Sequence, residues 1–78
     1  MNVDAFIKRI EEEFDDLKPG VLKPDTQFRE VVEWNSINAL ILIAMIKTEY
    51  DVTITADDLI QSKTIYDISS RVASRMEQ

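Results

Sequence analysis

The hydrophobic residues near the start of the chain recur every three or four positions. This spacing places side chains on one face of a helix, and it predicts a first helix over about Val3–Leu17. Proline disfavours helical geometry before it and glycine frees the backbone after it, so Lys18-Pro19-Gly20 should end the helix. The inward face comprises Val3, Phe6, Ile7, Ile10, Phe14 and Leu17.

The middle of the chain contains a stretch, residues 39–46, that is apolar on every side of a helix. It lies within a second helix predicted from about Ser36 to Tyr50. A helix that is apolar all round is buried, so this one should form the centre of the core. Residues 21–35 between the two helices show no sustained repeat of hydrophobic positions. A loop this long is usually functional or contains a helix or strand that the pattern does not reveal. Its expected anchors are Phe28, Val31 and Val32.

Two helix starts of the same kind follow in the last third of the chain. Thr55 and Thr64 are each followed three residues later by an acid, Asp58 and Asp67, which resembles a capping box. The first should open a short helix and the second a final helix. The inward face of the final helix is predicted to contain Ile65, Ile68, Val72 and Met76. The pattern therefore predicts an all-α bundle of three main helices and one short helix, with a long loop between the first two. Residues 1–78 should form a single domain.

Composition narrows the chemistry that the chain can perform. It has no cysteine and no histidine, so disulfides, thiolate metal sites and Ser–His or Cys–His catalysis are excluded. We therefore expect neither an enzyme nor a metal site.

With 15 acids against 9 bases, the net charge is −6, which disfavours binding to nucleic acid and favours basic partners. No stretch approaches the roughly 20 apolar residues that span a bilayer, and the first residues lack the order of a signal peptide. We expect a cytoplasmic monomer.

Several motifs appear in a fixed order around the apolar second helix. A loop with the sequence PDTQF at 24–28 precedes EWNSI at 33–37, and KTEY at 47–50 ends the helix. Three further motifs follow the helix: VTI at 52–54, DDL at 57–59 and TIYDI at 64–68. This ordered set, over essentially all 78 residues, resembles the acyl and peptidyl carrier protein family. The family's hallmark is Asp-Ser-Leu, where this chain has Asn35-Ser36-Ile37.

The resemblance implies that Ser36 carries 4′-phosphopantetheine, added from coenzyme A by a phosphopantetheinyl transferase. The arm's terminal thiol would hold acyl groups as thioesters for acyl-transferring or condensing enzymes of fatty-acid, polyketide or related specialised biosynthesis. Three alternatives remain open, and the weakest of them is a small acidic DNA mimic or inhibitor. On position alone, Ser36 could simply cap the helix through its hydroxyl. The chain could also be an unmodified, carrier-like helical module that binds other proteins.

The chain departs from the family pattern in two places. Asn35 replaces the usual acid before the serine, which we expect to change the preference of the transferase. The outward face of the second helix, by resemblance the partner-binding face, lacks acids and should form a largely apolar stripe. With Asn35, this face comprises Ile37, Asn38, Ile41, Ala44, Lys47 and Thr48. Sequence alone leaves the rotation of the helix open, so some of these residues could instead belong to the core. The acids expected to steer partners from the edges are Glu30, Glu33, Glu49, Asp51, Asp57 and Asp58.

A sheltered acyl chain would lie between the second, short and last helices. The side chains there are equally ordinary core residues, and each methylene that they cover is worth about 0.8 kcal/mol. The predicted cargo-lining residues are Leu42, Ile46, Ile54, Leu59, Ile60, Ile65 and Ile68.

Overall fold

The computed structural model describes residues 2–76, which contain five α-helices and no strand. Three helices are long and two are short, and the prediction of an all-α bundle is confirmed. The long helices are α1 (Val3–Glu13), α3 (Ser36–Tyr50) and α5 (Ile65–Met76). The short helices are α2 (Phe28–Val31) and α4 (Ala56–Gln61). Helix α3 contacts α1, α4 and α5 and so occupies the centre of the bundle. Within the described residues, no helix is long and apolar enough to cross a bilayer.

Helix α1 ends at Glu13, four residues earlier than its apolar pattern predicts. The last turn and the residues after it carry a run of acids, and negative side chains are unfavourable at the negative end of a helix. Aspartates also favour turns over helix interiors, and Asp15 and Asp16 form a turn here. Phe14 and Leu17 are nevertheless buried. Their spacing therefore predicted correctly that both side chains are buried, but it predicted wrongly that the helix continues to Leu17.

The long connection between α1 and α3 contains a short helix, α2, that the hydrophobic pattern did not predict. The predicted anchors are confirmed, because Phe28 and Val32 are buried and Val31 packs against the core. The connection is also tied to the start of α5 by backbone hydrogen bonds. Ile65 N–H donates to the Thr26 carbonyl at 3.0 Å, and Tyr66 N–H donates to the Pro24 carbonyl at 2.8 Å. These bonds satisfy first-turn donors that a helix cannot pair internally.

The core contains most of the predicted inward face of α5 and one side of α3, whose rotation the sequence left open. Both predicted capping boxes also form: the Thr55 hydroxyl accepts from Asp58 N–H at 3.1 Å, and the Thr64 hydroxyl accepts from Asp67 N–H at 3.1 Å. In each pair the acid's side chain accepts from the threonine's N–H in return. The buried side chains of α3 are Ala39, Leu42, Met45 and Ile46, and those of α5 include Ile65, Ile68 and Val72. Met76, in the last turn of α5, is 46% exposed, so its assignment to the inward face is wrong.

Candidate functional site

Ser36 is the first residue of α3, and its side chain is exposed. The helix is capped by the residue before it, since the Asn35 side-chain oxygen accepts from Asn38 N–H at 2.8 Å. The Asn35 carbonyl accepts the first intrahelical bond, from Ala39 N–H at 3.0 Å. The capping role that Ser36 could have filled is therefore taken by Asn35.

The segment before Ser36 is held in place from two directions. The Asn38 side-chain amide donates to the Glu33 carbonyl at 2.7 Å, which ties the approach to the helix onto its first turn. Trp34 lies edge-on to Phe28, with ring centroids 6.4 Å apart, and the Arg29 guanidinium lies 5.0 Å from the Trp34 ring centroid. These contacts fix the backbone that presents Ser36.

Arg29 also connects this segment to α4. Its guanidinium donates to the carbonyls of Ile60 at 2.6 Å and Leu59 at 3.3 Å, near the C-terminal end of that helix. A cation is favourable beside the last carbonyls of a helix. Arg29 therefore links Trp34, two residues before Ser36, to the last turn of α4.

The surroundings of Ser36 suit a phosphate ester. The N–H groups of Ser36 and Ile37 lie in the first turn, where α-helical geometry offers them no internal acceptor. The N-terminus of a 15-residue helix also carries the positive end of the helix dipole. A phosphodiester on the exposed Ser36 side chain would find both donors and favourable charge. The residues present therefore fit the phosphopantetheine arm that the family resemblance implies.

The structure fixes the rotation of α3 and shows that its exposed side has an apolar patch near Ser36. Ile37 is 68% exposed, and Leu40, absent from the predicted face, is 63% exposed. Leu40 follows Ser36 by one helical turn and Ile37 by three residues, so helical spacing could have included it. Of the other predicted residues, Ala44, Lys47 and Thr48 are exposed, and Asn35, Asn38 and Ile41 are half-buried.

Asp58, one of the acids predicted to steer partners, is buried, so that prediction is wrong. Asp58 is only 8% exposed, and its carboxylate accepts from Arg75 at 2.7 and 2.8 Å and from Arg71 at 3.2 Å. The bonds from Arg75, together with those from Thr55, hold the pKa of Asp58 well below its usual range. Asp58 is therefore part of an internal network that joins α4 to α5.

The other predicted steering acids are exposed, and two of them form ion pairs. Glu49 pairs with Arg9 at 3.2 Å, and Asp51 pairs with Lys47 at 3.0 Å. Glu30, Glu33 and Asp57 form no salt bridge within residues 2–76. Among the described residues there is also no group of three or more carboxylates that could hold a metal ion.

The predicted cargo-lining residues divide into two groups. Ile60 is 54% exposed, so its assignment to the interior is wrong: it lies on the outer side of α4. The others form part of one buried cluster between α3, α4 and α5, namely Leu42, Ile46, Ile54, Leu59, Ile65 and Ile68.

A bundle of this size that displays an exposed serine at the start of its central helix has the architecture of a carrier domain. A family model described as a phosphopantetheine attachment site matches residues 5–72, and the chain belongs to that family. A comparison with curated protein sequences found no match. The family's domain is the attachment site of the covalent 4′-phosphopantetheine group, which confirms the predicted cofactor.

Carrier domains of this family are not catalytic. They generally interact with phosphopantetheinyl transferases and with biosynthetic enzymes. The chain is thus a carrier protein for phosphopantetheine.

Proposed function

We propose that Ser36 is the residue that carries the arm. The observation behind this proposal is that Asn35 caps α3 and leaves the Ser36 side chain exposed at the helix start. In the transfer, Ser36 Oγ attacks the phosphorus of coenzyme A that bears pantetheine. A phosphodiester forms, 3′,5′-ADP leaves, and the hydroxyl proton passes to a base of the transferase.

The carrier would be a stand-alone protein of a dedicated pathway, cytoplasmic and monomeric, that serves fatty-acid, polyketide or related specialised biosynthesis. When bound, the arm supplies a terminal thiol that holds an acyl group as a thioester. The acid-poor outer face of α3 supports a dedicated pathway, because a carrier that docks mainly by charge would display carboxylates there.

Partner enzymes would contact the outer face of α3 around Ser36. The apolar centre of this face is formed by Ile37 and Leu40, both largely exposed. Exposed apolar patches rimmed by polar groups are typical of interaction sites. The proposed contact residues are Asn35, Ile37, Asn38, Leu40, Ile41, Ala44, Lys47 and Thr48.

Intact-mass spectrometry after incubation with coenzyme A and a broad-specificity phosphopantetheinyl transferase tests the assignment. We expect a gain of about 340 Da, the mass of the transferred arm, in the wild type and in Ser70→Ala, which alters an exposed serine of α5. Ser36→Ala should gain nothing. A gain in Ser36→Ala would move the site elsewhere, and no gain in any variant would favour an unmodified interaction module.

A further inference from the structure

A groove of about 380 Å³ lies between the end of α1, the short helix α2 and the first half of α3. Its floor is apolar. Within residues 2–76, its rim carries four acids and no lysine or arginine lines it. The apolar lining residues are Phe14, Val31, Val32 and Ile41, and the rim acids are Glu13, Asp15, Asp16 and Glu33. Asn38 completes the lining.

The rim is exposed and largely uncompensated. Glu13 pairs with Arg9 at 2.8 Å, whereas Asp15, Asp16 and Glu33 form no salt bridge within residues 2–76. An apolar floor below free carboxylates complements a segment that combines a lysine or arginine with an apolar side chain. The groove is therefore selective for a basic partner, which the net charge of −6 would also attract.

The groove is lined by Glu33 and Asn38, which flank Ser36 in the chain, and it borders the apolar face of α3. Asn38 lines it and bonds the Glu33 carbonyl, which fixes the segment that precedes Ser36. Ile41 lies in the groove and one helical turn beyond the exposed Ile37, so the groove continues the apolar face. A partner seated on both surfaces would contact the protein immediately beside Ser36.

The position of the groove near Ser36 distinguishes the phosphopantetheinyl transferase from the enzymes that act on the thioester. A transferase must bring the Ser36 hydroxyl itself into its active site, so it has to contact the protein next to that residue. Enzymes that act on the thioester work at the far end of the arm, so they can dock on the outer face of α3 without occupying the groove. We propose that a basic segment of the phosphopantetheinyl transferase, bearing an apolar side chain, docks in this groove during transfer to Ser36. The proposal rests on the proposed function of Ser36.

Two charge-reversal variants of equal net charge test the docking. Asp16→Lys with Glu33→Lys alters the rim, and Glu12→Lys with Asp25→Lys alters exposed acids outside the groove. Each pair changes the net charge from −6 to −2, so the overall field falls equally in both. We measure transfer kinetics from coenzyme A at low salt with a broad-specificity transferase. Circular dichroism melting checks that both variants fold.

We expect the rim variant to lose about tenfold in kcat/KM, mainly through KM, and the control to change by less than about twofold. High salt should reduce the difference, because it screens exposed charges. Equal losses in the two variants, or none in the rim variant, would overturn the docking while leaving Ser36 as the attachment site. Absence of transfer to the wild type would overturn the proposed function and the docking with it.

Nuclear magnetic resonance gives a second readout that does not depend on charge reversal. Ser36→Ala, labelled with ¹⁵N, is titrated with the transferase and coenzyme A, so that the complex forms without transfer. The largest shift changes should fall on Asp15, Asp16, Glu33 and Asn38. Changes confined to Leu40 and α4 would place the transferase outside the groove and would overturn the proposal.

Discussion

At the scale of single residues, the pair Asn35 and Ser36 divides two tasks between neighbouring side chains. Asn35 supplies the acceptor that the first turn of α3 needs, with its oxygen 2.8 Å from Asn38 N–H. Ser36 is thereby left exposed at the same helix start. An aspartate could cap in the same way, since both residue types are favoured at this position. Asparagine at position 35 therefore differs from the usual aspartate mainly in lacking a negative charge.

The substitution Asn35→Asp isolates this charge. The cap should persist, so the melting temperature should stay within about 2 °C of the wild type. A carboxylate beside Ser36 adds a charge-assisted contact for a basic transferase, and we expect kcat/KM for arm transfer to rise about fivefold. Asn35→Ala is the matched control, because it removes the cap at a cost of about 1 kcal/mol in unfolding free energy. Equal transfer rates for the wild type and the Asn35→Asp variant would refute a role of charge at this position.

A second residue-scale prediction concerns the other end of α3. Asp51 has a left-handed backbone conformation, with φ of 56°, and places a carboxylate by the negative end of the helix. Its ion pair with Lys47 is exposed and so contributes little. Asp51→Gly should raise the unfolding free energy by about 0.5–1 kcal/mol in urea denaturation, because glycine adopts this conformation without strain. A decrease would show that the ion pair outweighs the strain.

At the scale of elements, α4 is held from both sides. Asp58 joins its first turn to α5 through Arg71 and Arg75, and Arg29 binds carbonyls near its other end. The Asp58 carboxylate has a lowered pKa in the folded protein because Arg75 and Thr55 bond its charged form. A group with a lowered folded pKa contributes stability above its unfolded pKa, and this contribution is lost as the pH falls towards the folded value.

This network predicts a pH-dependent stability that Asp58→Asn should reduce. At pH 7 we expect the variant to lose about 2 kcal/mol of unfolding free energy, since it replaces charge-assisted bonds to a buried carboxylate. The difference from the wild type should shrink as the pH falls below about 4, where the unfolded-state carboxyl binds its proton. Urea denaturation from pH 7 to pH 2 measures this difference in unfolding free energy. The control is Asp57→Asn, which alters an exposed neighbouring acid. A difference that is independent of pH would contradict the assignment.

The elements differ in how far the sequence could predict them. The bounds of α3 were predicted correctly because a helix start, a long apolar run and a polar end coincide there. Helix α2 was missed, because four residues are too few to show a helical period. Helix α1 was predicted too long, since Phe14 and Leu17 are buried from a turn at helical spacing.

At the scale of the whole molecule, the bundle surrounds α3 with partners on one side and leaves its other side apolar and open. The sequence could not predict which side is open, because α3 has no polar stripe to orient it. Only the packing of α1, α4 and α5 against Leu42, Met45 and Ile46 determines the rotation. For the same reason the groove beside α2 could not be predicted, since it depends on residues from three elements.

The buried cluster between α3, α4 and α5 gives a whole-molecule prediction about cargo. An acyl chain that enters among Leu42, Leu59 and Ile65 would gain about 0.8 kcal/mol for each methylene removed from water. The protein loaded with an octanoyl thioester should therefore melt several degrees above the acetyl form, measured by circular dichroism, even after the bundle expands. Equal melting temperatures would show that the chain stays outside the bundle.

The most direct test of the central claim is site-localised mass spectrometry of the protein purified from its natural source. After proteolysis, we expect a peptide containing Ser36 that is heavier by about 340 Da, the mass of the phosphopantetheine arm, with fragment ions that place the added mass on Ser36. An unmodified Ser36 peptide throughout the preparation, or an arm on any other residue, would contradict it.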